Sequence, residues 1–378
     1  MNVLITGGAG FIGSHLARHL AERGHSVTVF DNLSAQVHGA GATFSPALAA
    51  LARCVKGDVC DAAAMREILQ GQDAVVHLAA ETGTGQSMYA VEHYARVNVQ
   101  GTAILLDEIV NRRPASLGKL IVASSRAVYG EGEYRCPGHG RVFPQARLLS
   151  DMEAGRFEPR CPVCGEAVSL APTREDAPFA PSSFYGLTKQ VQEQMVLMFG
   201  AAQGLDAFAL RYQNVYGPGQ SLINPYTGIL AIFSNLARQG RALNVFEDGL
   251  ESRDFVYIDD VAAATAACLR PEVKGVAALN VGSGVPTPVR EVAEAIVRHF
   301  QSASPVTVSG AFRIGDIRHN VADISKLEAL TGIVPATPFA EGLAAFLAWA
   351  AGEAPKDSGF EKSLDELKRR GLMGHVHS

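Results

Sequence analysis

Tyr185 and Lys189 stand four residues apart in Tyr185-Gly186-Leu187-Thr188-Lys189, so a helix places both on one face. A phenol beside an ammonium group is a proton-transfer pair. A free tyrosine titrates near ~10 and is a poor base at neutral pH, and a neighbouring cation favours its phenolate. Bringing the phenol to neutrality takes about 4 kcal/mol, which two cations in a partly desolvated site can supply. Lys189 is one such cation; the positive ring of an oxidised nicotinamide is a natural second. The pair therefore points to hydride chemistry on a hydroxyl or keto group. Leu187, Val191, Met195 and Met198 lie on another face of the same helix and are available for packing.

A dinucleotide is announced at the start of the chain by Gly7-Gly8-Ala9-Gly10-Phe11-Ile12-Gly13. The cluster follows a strand-like run, Asn2-Val3-Leu4-Ile5-Thr6, and opens a helix, which is the context the motif requires. Gly7 permits the tight turn, Gly10 lets the backbone approach a pyrophosphate, and Gly13 lets helix and strand pack closely. Phe11, Ile12 and Gly13 then present the unpaired N–H groups of a helix N-terminus to the phosphates. Asp31, followed by Asn32, ends the second strand at about the distance where a carboxylate accepts from the ribose hydroxyls of NAD. It repels a 2′-phosphate, and no arginine between residues 32 and 52 offsets that, so NAD is favoured over NADP. Asp58-Val59, after the third strand, is placed to sit against the adenine.

These residues need a scaffold, and the first third of the chain supplies one. Strand candidates Val3–Thr6, Val27–Phe30, Arg53–Lys56, Ala74–Leu78 and Leu120–Ser124 alternate with helical segments Ile12–Arg23, Ala62–Gln70 and Val99–Asn111. Such alternation predicts a doubly wound parallel α/β sheet of the Rossmann type. The regularity lapses between Gly130 and Pro172 and resumes with a helix over Phe184–Gly200 and a strand at Phe208–Arg211. Beyond Tyr212 the Pro and Gly content rises, and helices at Ile229–Gln239, Asp260–Cys268, Val289–His299 and Phe339–Ala350 predict a smaller α/β domain. The expected organisation is a cofactor-binding domain over 1–210 with an insertion at 131–171, a substrate domain over 211–350 and a charged tail over 351–378.

Composition bounds the partners. A formal net charge of −5 argues against nucleic acid or an anionic membrane surface as the main partner. The most apolar helical stretch, Leu343 to Ala351, falls far short of the ~20 residues that span a bilayer. A cytoplasmic protein is expected, in which the six cysteines are thiols or metal ligands rather than disulfides.

The ordered set Gly7-x-x-Gly10-x-x-Gly13, Ser124-Ser125-x-x-Val128-Tyr129-Gly130 and Tyr185-x-x-x-Lys189 resembles the extended short-chain dehydrogenase/reductases, more narrowly the nucleotide-sugar epimerases and dehydratases. The resemblance covers about 1–130 and 170–345. It implies that Ser125 hydrogen-bonds the reacting sugar oxygen, Tyr185 is the acid/base, and Lys189 orients the nicotinamide ribose and lowers the tyrosine pKa. It implies that Leu78, Ala79 and Ala80 line the cofactor and that Asn98 is a buried asparagine near the site. Asn214, in Arg211-Tyr212-Gln213-Asn214-Val215-Tyr216-Gly217-Pro218, becomes a diphosphate or sugar contact, and Arg253 and Arg313 become a diphosphate clamp. Arginine's planar fork suits that bidentate task.

One departure is informative. The 4,6-dehydratases of this family carry an Asp-Glu pair directly after the active-site threonine, and here those positions are Arg126 and Ala127. The resemblance therefore implies oxidation at C4 and return of hydride to the opposite face of a nucleoside-diphosphate sugar, dTDP- or UDP-linked. A dTDP-6-deoxyhexose such as dTDP-rhamnose fits this reading. The alternatives are a nucleotide-sugar reductase, dehydrogenase or decarboxylase on the same fold, and a non-catalytic NAD-sensing protein. The family also implies a homodimer, through the apolar faces of Val99–Asn111 and the Tyr185 helix.

Inside the insertion, Cys136-Pro137-Gly138-His139-Gly140 and Cys161-Pro162-Val163-Cys164-Gly165 each hold two metal-ligand types three apart, with a glycine after the second. The halves predict a zinc-ribbon-like site of Cys136, His139, Cys161 and Cys164. Closing a loop of this length costs about 3 kcal/mol, whereas a structural zinc supplies roughly 10–16. Four protein ligands close the coordination sphere, so the metal is expected to be structural.

Overall fold

The computed structural model describes residues 1–112, 114–222, 224, 228–353 and 359–377. Seven strands build the main sheet: β1 (Asn2–Thr6), β2 (Ser26–Asp31), β3 (Arg53–Lys56), β4 (Ala74–His77), β5 (Lys119–Ser125), β6 (Asp206–Tyr212) and β7 (Val276–Val281). They pair in parallel throughout, in the order β7-β6-β5-β4-β1-β2-β3. Val3, Leu4 and Ile5 are all fully buried although their side chains alternate across the sheet, so both faces are covered. Val3 and Ile5 pack with Leu16 and Leu20 of α1 (Phe11–Ala21). Leu4, Val75, Leu120 and Val122 pack on the other side with Leu105 and Ile109 of α2 (Gly101–Arg112) and Val196 of α3 (Phe184–Gln203). Strand order reverses between β1 and β4, and in such sheets ligands bind at that reversal, outside the carboxyl ends of the strands.

Local chemistry sets the helix boundaries. Ser183 caps α3 by accepting from the Gly186 N–H at 3.1 Å, and the helix ends at Gly204 in the left-handed region, φ +62°. The helix expected over Val99–Asn111 starts differently. Residues Ala95–Gln100 form a widened π-type turn, and regular α-helix begins only at Gly101. Such turns re-aim side chains, often at functional sites.

The division expected at residue 210 is crossed twice by the chain. After leaving the sheet, residues 258–267 return as helix α4 (Ile258–Ala267), which packs against α1, and 276–281 return as edge strand β7. The smaller layer is therefore assembled from separated segments. Strand Asn214–Tyr216 pairs with Ser252–Tyr257, which also pairs with Pro286–Pro288. Its core is made by helices Ile229–Arg238, Val289–His299 and Phe339–Gly352, through Phe233, Ile296 and Phe346. In the tail, Met373–His375 adds an antiparallel strand to Ala311–Arg313.

The insertion is ordered. Tyr134–Cys136 lies between Gly140–Val142 and Ser169–Leu170 in a three-stranded antiparallel sheet. Ion pairs fasten it to the smaller layer. Arg147, almost wholly buried, meets Glu131 at 3.0 Å and Glu247 at 2.8 Å, and fully buried Arg318 meets Glu158, Glu247 and Asp248.

Candidate active site

At the carboxyl ends of β1, β4 and β5 the two layers enclose a cavity of about 420 Å³. Of the residues singled out by sequence, Gly7, Gly10, Phe11, Ile12, Gly13, Asp31, Asn32, Val59, Leu78, Ala79, Ala80, Ser125, Tyr185, Lys189 and Asn214 line it.

Its cofactor half is shaped by the glycines. Gly7 sits at φ +67°, where only glycine is unstrained, and an added Cβ meets the Ala79 backbone nitrogen at 2.7 Å. Helix α1 opens at Gly10 with no side chain capping it, so its first N–H groups face the cavity. A methyl on Gly13 falls 2.5 Å from the Gly8 Cα and 2.6 Å from the Gly7 carbonyl oxygen, both backbone atoms of the turn. Gly13→Ala is accordingly expected to distort the turn, lowering bound-nucleotide content at least tenfold together with Tm; cofactor assay and calorimetry read the two. Asp31 accepts from the Ala9 N–H at 3.0 Å and the Leu33 N–H at 2.8 Å, which aims its remaining lone pairs into the cleft.

Asn98 and Asp58 lie behind the lining. Asn98, on the widened turn, is fully buried. Its amide donates to the Glu81 carbonyl and Thr188 Oγ1 and accepts from the Glu81 N–H, tying the β4 loop to helix α3. Asp58 accepts from the Cys60 N–H and Asn32 Nδ2.

The reacting groups converge from two elements. Ser125 ends β5; its hydroxyl accepts from the Ala127 N–H and interacts with the Tyr185 phenol across the cavity wall. Its neighbour Ser124 points the other way and donates to Glu193, which is itself held by Arg211. Lys189 is buried and donates to the Ala123 carbonyl at 2.9 Å; desolvation lowers its pKa to about 7. Enclosure raises the Tyr185 phenol above its ordinary value, opposed by the Ser125 bond and by the charge of Arg126. The charge of Arg126 acts on the phenol, and Lys189 lines the same cavity.

On the side opposite the glycine turn, Asn214, Gln213, Gln220 and Ser221 line the cavity, and Asn214 Oδ1, Gln213 Oε1, Gln220 Oε1 and Ser221 Oγ are buried with no hydrogen-bond partner among the described residues. Buried polar atoms are rarely left so, and a polar ligand satisfies them. Sequence reasoning gave no role to Gln213 or Gln220 and noted Arg126 only as a departure from the dehydratase pair. Gln213 and Arg126 adjoin motif residues, while Gln220-Ser221 follow the Gly217-Pro218-Gly219 turn, which was the available signal. The expected diphosphate clamp is not on the cavity wall. Arg253 spends its guanidinium on the carbonyls of Ser252, Ile317 and Arg318, and Arg313 pairs with Asp316 at 2.7 Å over the Phe246 ring. By sequence, the choice of base and sugar depends on loops such as that at 221–227, of which residues 223 and 225–227 lie outside the described residues.

Away from the cavity, the donor atoms of Cys136, His139, Cys161 and Cys164 all fall within 4.8 Å of one another. Cys136 Sγ is 3.5 Å from His139 Nδ1 and 3.8 Å from Cys164 Sγ, and Cys161 Sγ is 3.7 Å from His139 Nδ1. A tetrahedral zinc with ordinary bond lengths sets S···S edges of about 3.8 Å and S···N edges of about 3.5 Å. No helix among the described residues is long and apolar enough to cross a membrane.

The glycine turn, the meeting of Ser125, Tyr185 and Lys189 in one cavity and the seven-stranded order fit one lineage. Residues 3–145 and 161–282 match the NAD dependent epimerase/dehydratase family. The chain belongs to that family. It is 40% identical to the dTDP-L-rhamnose 4-epimerase of Burkholderia thailandensis, over 93% of this chain and 95% of that protein. Among solved structures it resembles the UDP-N-acetylglucosamine 4-epimerase of Methanobrevibacter ruminantium in complex with UDP-N-acetylmuramic acid, at 29% identity and TM-score 0.75, over 93% of this chain and 99% of that one. It likewise resembles the Thermus thermophilus UDP-glucose 4-epimerase in complex with NAD, at 27% identity and TM-score 0.73, over 94% and 100% of the two chains. The protein is thus an enzyme of the nucleotide-sugar epimerase/dehydratase group, and the interruption of the match at 146–160 falls within the insertion.

Proposed function

We propose that this enzyme is an NAD-dependent nucleoside-diphosphate-sugar 4-epimerase, with a dTDP-6-deoxyhexose such as dTDP-rhamnose the leading substrate. The observation that carries the reading is the meeting of Ser125, Tyr185 and Lys189 on one cavity wall, between its glycine-lined and amide-lined halves, with Arg126-Ala127 where elimination needs acids. Gly7 to Gly13, Asp31, Val59 and Ala79 would hold NAD, which supplies a hydride acceptor and donor. Tyr185 takes the proton of the C4 hydroxyl at its phenolic oxygen and later returns it, while Ser125 holds that oxygen in place. Asn214, Gln213 and Gln220 offer the partners that keep the 4-keto sugar in the cleft as it turns over. The 40% relative supports the dTDP-rhamnose assignment.

The test is a panel of dTDP-, UDP-, CDP- and GDP-sugars incubated with purified enzyme and followed by NMR. Inversion at C4 with no net cofactor reduction is expected. Stoichiometric reduction, or loss of carbon dioxide, would replace the proposal with the reductase or decarboxylase alternative.

We propose further that Cys136, His139, Cys161 and Cys164 bind a structural zinc, supported by their near-tetrahedral spacing. The exposed Leu187 and Met198 on α3 support a homodimer through that helix and α2, and six unpaired cysteines suit the cytoplasm.

A further inference from the structure

Arg126 is the one charged group of the cavity wall beside Tyr185 that no motif explained. It starts the short 3-10 turn Arg126–Val128 directly after Ser125, and its side chain lies in the cavity within electrostatic reach of Tyr185, Arg253, Asp316 and Glu131. Asp316 is already engaged by Arg313, and Glu131 by Arg147 and the Arg318 N–H. Arg253 is a like charge nearby. The Arg126 guanidinium carries five donors, donates no hydrogen bond to another described residue, and lies part-exposed on the cavity wall. A part-exposed cation beside a second cation favours an electron-rich neighbour, and the donors that Arg126 does not spend on protein are open to a ligand in the cavity.

The position says which part of a ligand it meets. Ser125 and Tyr185 engage the oxygen being oxidised, and Arg126 follows Ser125 in the chain and faces the same phenol. The diphosphate lies at the far side of the sugar ring from that carbon. Resting on the epimerase reading above, we propose that Arg126 is a sugar-contacting residue. Its guanidinium donates to the oxygens on and beside the reacting carbon, and so holds the keto intermediate and its developing charge while the sugar turns over. The planar fork spans two neighbouring acceptors, as a single hydroxyl does not. A site with an acid at this position expels water from the sugar; a guanidinium has no proton to give at neutral pH, so it holds the ketone without promoting elimination.

Arg126→Met and Arg126→Lys, made in the full chain, test this. Affinities for free dTDP and UDP, and for dTDP-rhamnose and UDP-glucose, are measured calorimetrically, and turnover and released keto sugar by NMR. Arg126→Met is expected to bind the free diphosphates within threefold of wild type, to lose the extra affinity due to the sugar, and to drop kcat about 10²-fold, the scale of one deleted oxyanion donor, with more keto sugar escaping. Arg126→Lys should recover part of kcat, and it decides alone if the Met variant loses its fold by circular dichroism. An equal loss of diphosphate affinity would make Arg126 a diphosphate ligand and overturn the proposal, as would kcat within threefold of wild type. Failure of the wild-type enzyme to invert any sugar removes the epimerase reading alone, because the binding split is read without turnover.

Discussion

Tyr185→Phe is expected to keep its fold and its bound cofactor while losing epimerisation by about 10³-fold. Positioned proton transfer contributes typically 10²–10⁴-fold, and 10³ corresponds to about 4 kcal/mol of transition-state stabilisation. The ring remains, so packing along α3 is retained, and Lys189 keeps its bond to the Ala123 carbonyl. Only the oxygen that carries the proton is gone. Ser125 cannot replace it, because an unassisted hydroxyl holds its proton far above neutral pH and its neighbour Ser124 is committed to Glu193. NMR turnover with the best sugar of the panel, set against bound NAD measured after denaturation, reads both quantities. A variant retaining more than a tenth of wild-type kcat would move the proton transfer to another group. The same site fixes a pH dependence. Oxidation needs the phenolate, so kcat rises with pH along the limb set by Tyr185. Ser125→Ala removes a hydrogen bond that holds this pKa down, so its limb should lie at higher pH than that of the wild type.

Why the site was partly legible in the chain follows from how far each constraint reaches. Gly7, Gly10 and Gly13 answer to atoms within the same turn or on the adjacent strand, so spacing alone exposed them. Tyr185 and Lys189 share one helix, and Ser125 is placed by the strand it terminates. The core strands of the sheet were legible because their apolar runs are buried on both faces. The turn at Ala95–Gln100 was not, since it answers to Asn98 bonding Thr188, 90 positions away. Arg253 behaves similarly. Its sequence context suggested a ligand, but the carbonyls that consume its donors come from Ile317 and Arg318, brought close only by the fold. Lys189 was legible from its helix spacing to Tyr185, whereas the charge of Arg126 reaches that phenol only through the fold of the turn after β5. β7 was hidden because membership of a parallel sheet depends on a long crossover, which leaves no local trace.

The insertion poses the opposite case, where residue types were legible and apolar periodicity was absent. Its strands are only two or three residues long, and its small core consists of Tyr134, Val142 and two of the cysteines themselves. So little buried surface does not order about forty residues; the ion pairs contribute, and the zinc proposed above would supply the rest. Wild-type protein is therefore expected to carry close to one zinc per chain, and Cys161→Ala to carry less than a tenth of that by elemental analysis. Three remaining ligands leave an open site whose affinity falls steeply, and the apparent binding energy of roughly 10–16 kcal/mol is the folding energy of the segment. Hydrogen exchange should then speed up across 131–171 by at least 10²-fold while β1, β4 and β5 keep their protection. The effect should reach the smaller layer, because Arg147 and Glu158 of the insertion join Glu247 and Arg318 there. With Glu158 released, fully buried Arg318 keeps only Glu247 and Asp248, so exchange near 247–252 should also rise. Wild-type protein free of zinc, or a Cys161→Ala variant as protected as wild type, would show that the four donors meet for packing alone.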